Sequence, residues 1–311
     1  MTVATTAAVN LVRCAVADFV VGFDLARTVG VERGDRLEPL PDTPDAIGVV
    51  RTRRGEWPVY PLGMWLGIDT EGADPRAGHV VLVESAHGKF GLAVDRVFPV
   101  ARVDRGRLLP PPAAVGPVAA WLIAGVLLAE AGPLVVLDPH RLDPRGGGGT
   151  DLSLPPATRP PATPTAASAG DRLLLVARSE FPGGRAVALG VPVGMIAEVF
   201  DPGPGSAVPS APEHLRELVV WRDSPIALVD AAVWVGLPPT PPSPRRAAVV
   251  RTGGTPVAIA TGGETRTLPA DTPSLPTRRR LGLRTPRLLG AFDTTDVTVV
   301  VPNWPGLGLA R

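Results

Sequence analysis

"PDAIGVVRTRRGEWPVYPLGMWLGI", residues 44–68, lines up with "EHLRELVVWRDSPIALVDAAVWVGL", residues 213–237, at a constant offset of 169 and without a gap. Val50 falls on Val219, Arg53 on Arg222, Val59 on Leu228, Trp65 on Trp234 and Gly67 on Gly236. Each stretch is an apolar segment, an arginine-led turn, a second apolar segment and a Trp-x-Gly ending. Short apolar runs separated by turn residues read as strands, so Val49 and Val50 end one strand, Arg53 to Glu56 turn, and Trp57 to Leu62 return. Recurrence of the whole pattern predicts an internal duplication, two copies of one module.

The likeness continues towards the C-terminus. "VVLVESAHGKFGLAV" (80–94) and "AAVVRTGGTPVAIA" (247–260) are each a β-branched run, a glycine turn and another apolar run. A third hairpin closes each copy, "WLIAGVLLAEAGPLVVLD" and "LLGAFDTTDVTVVV". This spacing predicts an all-β protein of barrels or sandwiches. In "LGMWLGI" and "DAAVWVGL" apolar residues recur three and four apart, which predicts one short helix per copy. Residues 143–169, "DPRGGGGTDLSLPPATRPPATPTAASA", have almost no large apolar side chain. Such a segment cannot offset the entropy of ordering it and reads as a linker. The expected division is a first module at 1–144, a linker at 145–169, a second module at 170–304 and a tail at 305–311. A second proline-rich insert, "PPTPPSPRR" at 238–246, interrupts the second module.

The 311 residues are 45% hydrophobic and 20% charged, enough for a core in each module. Thirty-one basic and 30 acidic residues leave a net charge of +1, which argues against a nucleic-acid partner. Cys14 is the single cysteine, so no internal disulfide or cysteine zinc site can form, and it reads as a small apolar strand residue. The first 21 residues lack a basic leader, and Arg13 and Asp18 interrupt their apolar stretch, so no secretory signal is expected. Residues 118–137 are long and apolar enough to span a bilayer, but "AEAGP" breaks them, and two buried strands turning at 129–133 are expected instead.

Catalytic signals are scarce. His79, His87, His140 and His214 are scattered and never spaced as a metal pair. "GGGG" at 146–149 has no Lys-Ser/Thr after it and is no phosphate loop. "TGG" at 252–254 and at 261–263 reads as hairpin turns. No Gly-x-Ser-x-Gly elbow occurs. No catalytic, cofactor or metal residue is expected. Pro58 and Pro61 cannot donate to a ladder, which predicts an edge strand or a segment leaving its sheet. Arginines at a turn are commonly only solvated. The recurrence of Arg53 as Arg222 argues for more than that.

These residues resemble the CheW-like domain, the coupling module of bacterial chemotaxis arrays. The resemblance rests on Pro44, Gly48, Val49, Val50, Arg53, Pro58, Leu62, Leu66 and Gly67 within 44–68. It extends upstream over "FVVGFDLARTVGVERGDRLEPLP" and downstream over "VVLVESAHGKFGLAVDRVFPVARVDRGRLLPPP" and "IAGVLLAEAGPLVVLDPHRL". Departures are local. Arg54-Gly55 comes one residue later than the family spacing, Arg51 replaces an Asn, Pro61 replaces an Asp, and Thr28 stands where many members have Glu before a Val. In the second copy Arg222 and Asp230 fit, and "GMIAEV" supplies Glu198-Val199, but Glu217 and Asp223 replace both glycines.

The resemblance implies two tandem modules, each a pair of SH3-like five-stranded barrels. It implies a non-catalytic cytoplasmic adaptor, without cofactor or membrane insertion. The implied partners are the regulatory domain of a CheA-type histidine kinase and the cytoplasmic tip of a chemoreceptor. The implied contact residues are Arg53, Arg54, Thr28 and Val29 in the first copy and Glu198, Val199 and Arg222 in the second, which has drifted further and is expected to bind less. Two alternatives stand beside it: an SH3-like interaction module outside chemotaxis, and a β-barrel enzyme whose site the sequence does not reveal.

Overall fold

The computed structural model describes residues 8–40, 43, 45–68, 74–144, 172–180, 186–240, 246–252, 256–262, 265–269 and 287–307. The linker predicted at 145–169 lies outside them. In the first module the strands are β1 (Ala8–Val16), β2 (Phe19–Asp24), β3 (Thr28–Arg33), β4 (Gly48–Thr52), β5 (Gly55–Pro61), β6 (His79–Ser85), β7 (Gly88–Val94), β8 (Arg96–Asp104), β9 (Leu108–Leu109), β10 (Ile123–Ala129) and β11 (Gly132–Leu137). They form two sheets, β8-β1-β2-β11-β10-β9 and β3-β6-β7-β5-β4. The chain starts in one sheet, builds the whole of the other from β3 to β7, and returns with β8.

The second module repeats this path with β12 (Arg172–Glu180), β13 (Ala186–Pro192), β14 (Ile196–Phe200), β15 (Leu215–Trp221), β16 (Ser224–Val229), β17 (Arg246–Arg251), β18 (Pro256–Thr261), β19 (Arg266–Pro269), β20 (Leu288–Asp293) and β21 (Thr298–Pro302). Its sheets are β19-β12-β13-β21-β20 and β14-β17-β18-β16-β15. Even the parallel pairs recur: β2 with β11 and β5 with β7 become β13 with β21 and β16 with β18.

The predicted short helices form as α1 (Gly63–Leu66) in the first module and α3 (Ala231–Val235) in the second. Each ends on a left-handed glycine, Gly67 (φ 66°) and Gly236 (φ 90°), which accounts for the recurring Trp-x-Gly. Residues 118–137 do contain the expected strand pair, but their first part is a helix. Pro117 opens α2 (Pro117–Leu122), and β10 and β11 follow, turning at Glu130 and Ala131. Among the described residues no helix is long and apolar enough to cross a membrane. The described residues end with α4 (Trp304–Leu307); Trp304 and Leu307 are buried, so the segment expected as a tail begins inside a packed helix.

Two other expectations need correction. β5 is not an edge strand, since it lies between β4 and β7. Pro58 is tolerated there because its β4 partner, Val49, turns both backbone groups away to Glu38, and pairing with β7 starts only at Val59. Pro61 is the last residue of the strand. The second "TGG" is not a hairpin turn: Thr261 ends β18, Gly262 donates to the Val176 carbonyl at 2.9 Å, and the chain crosses to β19 in the other sheet. Of the first "TGG" only Thr252 is described.

One hydrophobic cluster runs through both modules, from Phe23, Leu62 and Leu122 to Leu218, Trp234 and Trp304. The modules meet where Ser210 N–H donates to the Trp65 carbonyl at 3.1 Å and the Ser206 hydroxyl to the Pro133 carbonyl. Separate clusters fill the sheet interiors, such as Val50, Trp57, Val59, Val80 and Leu82.

The missing glycines of the second copy are compensated one by one. A Cβ on Gly48 would sit 2.5 Å from the Glu38 carbonyl and 2.8 Å from Leu37 Cγ. At the equivalent place the second module has Glu217, and the residue facing it is Gly205, whose own Cβ would lie 2.0 Å from the Glu217 carboxylate. Bulk has changed sides. At the hairpin tip Gly55 has φ 117°, whereas Arg222 (φ 47°) and Asp223 (φ 57°) carry the positive angles in the second module. Two consecutive positive φ values are the signature of a type I′ turn, so the second hairpin closes without glycine.

Candidate partner-binding surface

The β4–β5 tip presents Arg53 and Arg54 to solvent, above Val49, Val59 and Leu62, which are fully buried. Thr52 fixes the turn. Its hydroxyl accepts from Arg54 N–H at 3.1 Å and from the Trp57 indole at 2.9 Å. Arg51 is bracketed by carboxylates, donating to Glu56 at 2.8 Å and to Glu38. Arg53 and Arg54 have no ion-pair partner among the described residues.

The β15–β16 tip holds its arginine differently. Arg222 donates twice to Glu198 Oε2, at 3.2 and 3.0 Å, and its guanidinium stacks 4.7 Å from the Trp221 ring centre. The Trp221 indole donates to the same oxygen at 3.0 Å. The Glu198 carboxyl is held below its ordinary pKa, chiefly by the indole hydrogen bond, with Arg222 adding to it. A non-glycine residue at φ 47° carries a conformational cost, and these contacts hold it there. The second copy, expected from its lost glycines to be the weaker one, has the more organised arginine.

The opposite edge of each sheet is β3 in one module and β14 in the other, and in the second the curl of the sheet brings Glu198 of β14 to Arg222 at the tip. Each edge strand has a bulge near its start, and the registers then align: Gly30 opposite Leu82 matches Glu198 opposite Val249. The position equivalent to Glu198-Val199 is therefore Gly30-Val31 and not Thr28-Val29. Thr28 donates its hydroxyl to the Leu25 carbonyl, and Val29 packs on the cluster around Trp57. Val31 and Val199 are both 42% exposed, and the turns preceding these strands expose Leu25 (38%) and Val193 (41%). The same apolar pair is thus kept at the surface twice, beside an unpaired strand edge able to accept a partner. Sequence reasoning missed Trp221, Leu25, Val31 and Val193. Trp221 was legible as the neighbour of Arg222; Val31 needed the bulge and Leu25 and Val193 the turn ahead of each strand, none of which leaves a mark in the residue pattern.

Among the described residues no three His, Cys, Asp or Glu side chains are placed to hold a metal. Cys14 is buried in β1, and desolvation pushes its thiol up to about 12.

Duplicated pairs of small curled sheets, carrying exposed hairpin tips and free strand edges, define a tandem all-β module protein. The CheW-like domain model matches residues 10–144 and again residues 183–304, so the chain belongs to the CheW-like domain family and carries two copies of its domain. Among solved structures it is similar to the scaffolding protein TtCheW from Thermoanaerobacter tengcongensis, with 23% identity, a TM-score of 0.38, and coverage of 45% of this chain and 90% of that one. No curated protein matches the chain.

Proposed function

We propose that the chain is a non-catalytic cytoplasmic adaptor that couples chemoreceptors to a CheA-type histidine kinase. What supports this is one repeated observation within a family of coupling domains: an arginine at the same hairpin tip in both copies, each on a sheet whose far edge strand is free and carries an exposed apolar pair at equivalent positions. Arginine at such a tip forms directional, charge-assisted bonds to carboxylates, and the strand edge supplies main-chain pairing. The first module offers two unneutralised arginines and suits an acidic partner surface. The second offers an arginine already oriented by Glu198 and Trp221. Both modules bind in this reading, and residues 145–169 join them as a linker.

The test is binding of the full chain to a CheA regulatory domain and to a receptor tip, paired with thermal melts. Arg53→Glu with Arg54→Glu sets like charge against an acidic surface and weakens capture of at least one partner about tenfold or more, with the melting temperature nearly unchanged. Arg222→Glu, which also repels Glu198, has a comparable effect on the other. Wild-type binding of both partners by both variants refutes the assignment.

A further inference from the structure

The two modules differ at one place that the hairpins do not involve. In the second module the Asp230 carboxylate is almost fully buried and accepts from the Ala232 and Thr240 N–H groups at 3.0 and 2.8 Å, from the Thr240 hydroxyl at 2.9 Å and from the Arg216 guanidinium. Arg216 also reaches the Thr240 carbonyl. At the equivalent offset the first module has Ile47 for Arg216 and Pro61 for Asp230. Both of these line a cavity of about 100 Å³ where the two sheets of that module meet. Its apolar wall is Val16, Ile47, Pro61 and Val94, and Ile47 remains 37% exposed. Its polar contributors are Asp74 and Asp95, both exposed. Asp74 accepts from the Arg76 N–H at 2.9 Å and Asp95 from the Ala17 N–H at 2.6 Å, and neither has a cation paired with it among the described residues.

We propose that this cavity of the first module receives an arginine side chain from a partner protein, in the place that Arg216 occupies within the second module. The chemistry is specific to such a side chain. An apolar wall covers the aliphatic stem, and two uncompensated carboxylates at the rim meet the guanidinium. A purely apolar anchor gains nothing from the carboxylates, and an anionic one is repelled.

The experiment is a 15N NMR titration of the full chain with N-acetyl-arginine amide, with N-acetyl-norleucine amide as the uncharged comparison. A single side chain binds in the millimolar range, which such a titration reads directly. The expected result is saturable shifts at Gly63, Gly78, Ala93 and Asp95, weakened about tenfold or more by Asp74→Asn with Asp95→Asn. Asn at 95 keeps an acceptor for Ala17, so the turn survives. A second variant, Ile47→Arg with Pro61→Asp, rebuilds the internal pair and abolishes the shifts. Absence of shifts, shifts insensitive to both variants, or equal binding of norleucine amide overturns the proposal. None of these outcomes depends on the kinase or the receptor, so failure here is distinct from failure of the adaptor reading.

Discussion

Asp230→Ala removes the most heavily used carboxylate of the second module, and its cost can be assembled from the contacts. The side chain caps α3 through the Ala232 and Val233 N–H groups at 3.0 and 3.4 Å, and loss of an N-cap costs about 1 kcal/mol. The Thr240 N–H, buried and 2.8 Å from Oδ2, is left without its acceptor, at about 1–2 kcal/mol. The Thr240 hydroxyl can rotate to another acceptor and adds about 0.5 kcal/mol. Arg216 is 27% exposed and can turn to water, so the full penalty of an abandoned buried charge does not apply. The sum is about 3 kcal/mol. With a urea m-value of about 2 kcal/mol/M, the midpoint of the second module falls by about 1.5 M. Urea unfolding followed by tryptophan fluorescence measures this, because Trp234 belongs to α3 itself. Asp230→Asn restores only the cap, since its amide nitrogen replaces the oxygen that accepts from Thr240 N–H and Arg216. A shift smaller than about 0.5 M means the network is ornamental and refutes the reasoning.

Three further outcomes are expected. Because the Glu198 carboxyl is held below its ordinary value of 4.5, its contribution is complete above that pH and is lost as the pH falls through its lowered folded value; the Trp221 indole N–H resonance should move in that acid range, and an indole indifferent to acid contradicts the site geometry. Cys14, buried and with its thiol pushed up to about 12, should react with a disulfide reagent at mildly alkaline pH only as fast as the protein opens, and a rate near that of a free thiol shows that β1 is not packed as described. Limited proteolysis should cut first within 145–169, and the fragments should stay together through the Ser210–Trp65 contact; primary cleavage inside either module counts against the proposed linker.

The duplication, the strands and the two short helices were legible because they rest on local pattern: apolar runs, turn residues, and a left-handed glycine after each helix. What escaped depends on partners distant in sequence. Pro58 suggested an edge strand because its missing donor is visible, but the direction in which Val49 turns its own backbone groups is not. Thr28-Val29 was matched to Glu198-Val199 by residue likeness, whereas a bulge in each strand decides which side chains face out. The second copy looked depleted because single positions were compared with a pattern of glycines, and the change that restores fit at Gly205 lies across the bridge, twelve residues from Glu217. Chemistry between copies, such as Arg216 with Asp230 against Ile47 with Pro61, becomes meaningful only once both positions are seen to face one space.

The exchange of bulk between Leu37 with Gly48 and Gly205 with Glu217 also bears on how the chain avoids assembling itself wrongly. A protein with two copies of one strand order can, while folding, pair a segment of one copy with the complement of the other, a recurrent hazard of tandem repeats. Here the mismatched pairings fail in opposite ways. Leu37 against Glu217 puts two large side chains into room for one, and Gly205 against Gly48 leaves a gap where a side chain belongs. Only the cognate halves fit. The drift that makes the second copy look degenerate in sequence thereby gives each module a means of recognising its own parts.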